Sequence, residues 1–274
     1  MLTPRALLVP TLPTLLVDEH RQHRTEMLVA LAEQSARLLI ESPEIVVALS
    51  ARWLSEGPFL VDAGRRHRTL TDYPGFGVEV RYDCQGHPGL ARELVEAGNK
   101  AGVRVAATTR GVDSGITVPL HFLFPSPAAP VVPLSLADRS PAECRAWGTV
   151  LRQTLAARPE RIAFVVGGLL SDNQHAWNLG RPLPEARDFD ERILAALKIG
   201  AWEAVGHREP GEVDRVQPQA GLRHLEVLRG FLEYDAPGVV GGYEPSPGVG
   251  AALVEFSVDP ADSSSRAGEG DISA

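Results

Sequence analysis

The stretch RIAFVVGG, residues 161–168, decides the fold. Ile162 to Val166 form an unbroken apolar run, and two glycines end it. A strand with one wet face alternates apolar and polar residues. A run without alternation belongs to a strand covered on both faces. Similar runs stand at 6–10 (ALLVP), 44–50 (EIVVALS), 103–108 (VRVAAT) and 130–136 (PVVPLSL), with helical patterns at 24–40, 87–101, 140–157 and 186–198 between them. This alternation predicts an α/β fold, a central, mostly parallel sheet with helices on both faces. Ligands of such sheets sit beyond the carboxyl ends of the strands. Function is therefore expected in the loops after Val9, Ser50, Thr108 and Gly168.

Local signals support this register. Ser140-Pro-Ala-Glu143 reads as a capping box with Pro at the first helical position. The stretch VVGGYEPSPGVGAALVEFSV reads as two strands joined by a Gly/Pro turn. No repeat or linker breaks the chain, so one domain is expected over 1–258. The polar, aperiodic segment 259–274 reads as a disordered tail.

Composition narrows the function classes. The 274 residues carry a net charge of −8 and no concentrated run of Lys and Arg, which argues against nucleic acid as a partner. No apolar run approaches the roughly 18 residues of a membrane span, and no signal peptide is recognisable at the start. A cytoplasmic location is the default expectation. Cys84 and Cys144 lie far apart, which suits neither a disulfide framework nor a cysteine zinc site.

Single residues leave alternatives open. In RGVDSGITVPL, residues 110–120, Ser114 lacks the G-x-S-x-G frame of a hydrolase nucleophile, and Asp113 or Ser114 reads as an N-cap of a helix beginning near Gly115. His20 and His23 could share a helix face, but they sit among charges as on a solvated surface. His121 stands in an apolar stretch and reads as half-buried. His67, in the basic RRHR, could bind an anion and is otherwise expected at the surface. Asp172 and His175 follow the 161–168 strand, where a pocket is expected. There is no dinucleotide fingerprint, P-loop or HExxH.

Six segments in order resemble the LigB-type class III extradiol ring-cleaving dioxygenases. They are TDYPGFGVEVRYDCQGHPGLA, RGVDSGITVPLHFLFPSPAAPVVPLSL, FVVGGLLSDNQ, ARDFDERILAAL, QAGLRHLEVLRGFL and YEPSPGVGAALVEF, and the resemblance spans about residues 5–256. It implies Fe(II) held by two His and one carboxylate, with open positions for a catechol and dioxygen, and a histidine acid/base. At the matching positions this chain has Thr11 for the first ligand and Ala51 or Arg52 for the second. Ser114 stands for the acid/base histidine, Ser171-Asp172 for a Ser-His pair, and Gln219 near the carboxylate. The segments that carry the fold persist while those that carry the chemistry do not.

The expectation is a degenerate homologue without metal or other cofactor. Its cleft would be lined by Thr11, Ala51, Arg52, Asp113, Ser114, Asp172, His175 and Gln219. Its partner would be a small aromatic ligand or a related LigB-type chain, in a homo- or hetero-oligomer. A second reading keeps Fe(II) dioxygenase activity with relocated ligands, Asp172 and His175 with Asp113. A third, a hydrolase using Ser114 with Asp113, lacks a nameable base.

Overall fold

The computed structural model describes residues 1–259. In chain order the elements are β1 (Leu2–Val9), α1 (Thr14–His20), α2 (Glu26–Glu41), β2 (Ile45–Ser55), β3 (Phe59–Asp62), β4 (Arg66–His67), β5 (Cys84–Gln85), α3 (Pro88–Lys100), β6 (Val105–Thr108) and α4 (Ser114–Leu123). There follow β7 (Val131–Ala137), α5 (Pro141–Ala156), β8 (Ile162–Gly167), α6 (Gln174–Asn178), α7 (Pro184–Lys198), α8 (Trp202–Gly206), α9 (Glu212–Val216), a 3-10 turn (Gln219–Leu222), α10 (Arg223–Leu232), β9 (Gly238–Ser246) and β10 (Val249–Ser257).

Eight strands form one sheet in the order β6-β3-β7-β2-β8-β1-β10-β9. The middle four, β7-β2-β8-β1, are parallel, which is why their sequences are apolar throughout. Ile162, Phe164 and Val166 face one helical layer; Ala163 and Val165 face the other. Helices α3, α5, α7, α8 and α10 cover the first face, and α1, α2 and α4 the second. Across the first, Phe164 stacks on Phe231 of α10 with centroids 4.2 Å apart. Each such fully buried side chain contributes about 1.5–3 kcal/mol.

Helix starts follow the sequence signals. The Ser140 capping box is formed in both directions. His87 accepts from the Leu90 N–H at 2.9 Å, with Pro88 at the first turn, and so starts α3. The two closing strands pair as a hairpin. No described helix is long and apolar enough to cross a membrane. Of the expected tail, only Asp259 lies within the described residues.

Two features depart from the expectations. First, β3 meets β7 antiparallel, and β6 runs with β3. The carboxyl end of β6 therefore does not point with those of β1, β2 and β8. The chain after Thr108 reaches the site by travelling back: Arg110 and Gly111 donate to Asp62, and Asp113 arrives beside Ser50. Second, His67 is not at the surface. It is 1% exposed, with Nε2 3.1 Å from the Val131 carbonyl and Nδ1 3.4 Å from Asp62 Oδ2. Burial raises the Asp62 carboxyl, but His67 and the N–H groups of Gly111, Arg110 and Gly64 outweigh it and hold it at about 2.

A wide bulge interrupts β2. Ser50 pairs with Ser135 and Leu54 with Leu136, so Ala51, Arg52 and Trp53 have no opposite number on β7. The Ser50 hydroxyl accepts from the Arg52 N–H at 3.2 Å and donates to Asp113 Oδ1 at 2.8 Å, which fixes the bulge.

Candidate functional site

The carboxyl ends of β1, β2 and β8 meet the N-terminus of α4. They meet closely because two contacts are made by glycines. A Cβ on Gly167 would overlap the Gly115 carbonyl oxygen, and a Cβ on Gly115 would overlap Ser50 Oγ. Asp113 precedes α4 but does not cap it with its side chain. It is 1% exposed and is held by Ser50 and by Arg110 Nη1 at 2.6 Å, and Arg110 lies over the Trp53 ring at 4.9 Å. The cap comes from elsewhere in the chain. Asp72 accepts from the Ser114 N–H at 3.0 Å and from Ser114 Oγ at 3.1 Å. A carboxylate on a helix N-terminus is favoured by the dipole and satisfies a free donor. Ser114 is thus the first residue of the helix rather than its cap.

Above this junction lies a cavity of about 220 Å³, walled by Arg52, Asp72, Tyr73, Phe76, Asp172 and Trp177 among others. Leu12, Leu169 and Val249 complete an apolar side. Asp172 Oδ2 accepts from Gln219 Nε2 at 2.9 Å, and Gln174 donates to Oδ1. Gln219 Oε1 in turn accepts from the Leu169 N–H at 2.8 Å. Burial raises the Asp172 carboxyl above its ordinary value, while Gln219, the Arg52 charge and Gln174 act against it. The neighbouring Ser171 is anchored by Asp190, which accepts from Ser171 N–H (2.9 Å) and Oγ (2.8 Å) and from Tyr243 Oη (3.0 Å). Burial pushes Asp190 up to about 6 against these hydrogen bonds.

Behind Gly168 sits His224, fully buried at the start of α10, with no hydrogen-bond partner at either ring nitrogen among the described residues. Burial alone drops it to about 3.

The expected site residues separate into three groups. Arg52 and Asp172 line the cavity, Gln219 supports Asp172, and Ser114 lies behind Asp72. Thr11 is fully buried, its methyl beside Gly167 and its hydroxyl without a partner among the described residues. Ala51 points instead into the core under α3 and α5, so of the two alternatives for that position the bulge presents Arg52. His175 is exposed on α6 and is not on the cavity wall. Asp113 is committed to Ser50 and Arg110, so the trio Asp172, His175 and Asp113 does not form a ligand set. His121 is half-buried and bonded to Glu19 at 2.6 Å; His23 meets Asp18 at 3.3 Å, and His20 is exposed. Asp72, Tyr73 and Asp190 were not singled out as site residues in the sequence, although all three fall inside recognised segments.

The donor set does not fit the iron that the family resemblance implies. A facial triad needs two neutral imidazoles and a carboxylate. The cavity instead offers a guanidinium, an Asp172 that accepts a hydrogen bond from the Gln219 carboxamide, and an Asp72 that already accepts from Ser114. Among the described residues no group of three or more His, Cys, Asp or Glu is placed to hold a metal ion.

Comparison with known proteins gives a consistent assignment. The family model "Catalytic LigB subunit of aromatic ring-opening dioxygenase" matches residues 6–256. The dioxygenase tasH of Hapsidospora irregularis is 30% identical over 226 residues, covering 75% of this chain and 67% of that protein. The 4,5-DOPA dioxygenase extradiol of Mirabilis jalapa is 29% identical over 200 residues, 70% of this chain and 73% of the relative. Among solved structures, an uncharacterized protein of Escherichia coli K12 superposes with a TM-score of 0.68 at 20% identity, covering 92% of this chain and 99% of that one. This last likeness shows the fold.

Proposed function

Because the chain belongs to the LigB family of aromatic ring-opening dioxygenases, we propose that it is a metal-independent member that keeps the cleft as a binding site for a small aromatic ligand and does not cleave the ring. The observation that carries this reading is the pair Arg52 and Asp172 at the cavity wall, with Gln219 bonded behind Asp172. A permanently charged guanidinium repels a divalent cation. A carboxamide is a poor stand-in for an anionic ligand to Fe(II). The acid/base position holds Ser114, whose hydroxyl is spent on Asp72.

The same wall is suited to a flat ring. Tyr73, Phe76 and Trp177 supply aromatic surface, and Arg52 offers donors or a cation to a ring face. The volume of about 220 Å³ suits one ring rather than two. Asp172, raised by burial, accepts or donates a hydrogen bond according to its proton.

The test is metal analysis together with ligand binding. Protein purified without chelator is expected to carry no stoichiometric iron. Reconstituted anaerobically with Fe(II) and offered catechol, protocatechuate or aminophenol, it is expected to form no ring-fission product. A monocyclic aromatic is expected to quench Trp177 fluorescence, and Arg52→Ala to weaken that binding. Dialysis-resistant iron with turnover on the order of 1 per second would overturn the reading.

A further inference from the structure

A second concave site lies on the outer side of the segment that joins β4 to β5. It is a groove of about 480 Å³ walled by Arg66, Arg68 and Arg81 with Thr69, Asp83 and Glu79, and it shares no lining residue with the aromatic-walled cavity. Its origin is legible in RRHR. Along an extended chain neighbours point to opposite sides. His67 turns inward to Val131, so Arg66 and Arg68 turn outward together. Arg81 joins them because Thr69 and Asp83 tie the two limbs: Asp83 Oδ1 accepts from Thr69 N–H at 2.9 Å and from Thr69 Oγ1 at 3.3 Å.

Arg66 and Arg81 feel the Asp83 carboxylate only through space. None of the three guanidiniums has a hydrogen bond or ion pair among the described residues. Other arginines are matched, as Arg145 is with Glu226 and Arg192 with Glu212. The two acids in the groove are already engaged. Hydrogen bonds from the Thr69 backbone, and from its hydroxyl, hold the Asp83 carboxyl below its ordinary value despite slight burial, with Arg66 and Arg81 adding to the effect. Glu79 accepts from Thr71 Oγ1 at 2.9 Å. In a chain of net charge −8, three arginines around one concavity make a locally basic wall. Arginine forks bind planar or tetrahedral oxyanions with two parallel N–H donors each.

We propose that this groove binds a small molecule bearing a phosphate or carboxylate group, gripped by Arg66, Arg68 and Arg81. The site is separate from the ligand cleft and stands whether or not the protein cleaves rings.

Calorimetric titration of the full chain at low ionic strength tests it, with inorganic pyrophosphate as one probe and citrate as the other. Saturable binding of at least one probe is expected, weakening as salt rises. The combined Arg66→Ala, Arg68→Ala, Arg81→Ala variant should lose roughly tenfold or more in affinity with an unchanged melting temperature. Arg187→Ala, a distant exposed arginine, should leave binding intact. Should the triple variant misfold, Arg81→Ala alone gives the same readout. Preference for pyrophosphate assigns the ligand to phosphates, and preference for citrate to carboxylates. Binding of neither probe, or binding that the arginine variants leave unchanged, overturns the proposal.

Discussion

The carboxamide nitrogen of Gln219 donates to the carboxylate of Asp172 across 2.9 Å, while its oxygen accepts from the Leu169 N–H. One amide thus satisfies a donor and an acceptor at once. A glutamate there would keep the Leu169 bond but set one carboxylate against another. Gln219→Glu is therefore expected to cost about 3 kcal/mol at neutral pH and less in mild acid, where the pair shares a proton. Urea denaturation at the two pH values reads this directly. Equal stability of variant and parent at neutral pH would show that the site already accommodates the second charge.

His224 predicts an acid-sensitive fold. Its folded value of about 3 lies below the ordinary 6.5, so it stays neutral in the fold and binds a proton more readily when unfolded. The stability it permits is intact above pH 6.5 and is lost as pH falls towards 3. Between about pH 7 and about pH 5 the loss is on the order of 2 kcal/mol. His224→Leu should remove it, so the variant gains on the parent as the solution is acidified. A constant difference across that range would refute the prediction.

Asp190 acts with the opposite sign in an overlapping window. Its folded value of about 6 lies above the ordinary 3.8, so its contribution is greatest in acid and is lost as pH rises through 6. Relative to Asp190→Asn, the parent should gain about 2 kcal/mol on going from pH 7 to about pH 4. Guanidinium denaturation of both proteins along the pH series is the measurement. If their curves stay parallel, burial of this carboxyl is not what sets its proton affinity.

The contact between Gly115 and Ser50 predicts a large effect from one methyl group. Gly115→Ala would overlap Ser50 Oγ and force it off Asp113. A loss of about 3 kcal/mol is expected from overpacking and the broken hydrogen bond. Adding Ser50→Ala removes the overlapping oxygen and should recover part of the loss, so the two changes will not add. Simple additivity in thermal melts would place the clash elsewhere.

Most of the sheet could be read from the sequence because β1, β2, β7 and β8 are buried on both faces, and burial writes itself as unbroken apolar runs. β3 was not legible: it has four residues, and nothing in Phe59-Leu-Val-Asp62 states its direction. Of the candidate site, Arg52, Asp172 and Gln219 were found through the order of segments. Asp72 was not, since its role depends on Ser114, 42 positions away. Ala51 and Arg52 could not be separated because a regular strand sends neighbours to opposite faces, and only the bulge decides which of them meets the cavity. His224 gave no signal, since a histidine stripped of partners looks like any other in the sequence.

The β2 bulge also bears on how such a protein can change its trade. Pairing resumes at Leu54 with Leu136 beyond three residues that have no partner on β7. The sheet on either side therefore does not read the identity of Arg52. Substitution of Arg52 exchanges the group shown to the cavity without removing a pair from the ladder. Evolution can rewrite the chemistry of such a position while the architecture stays under separate selection.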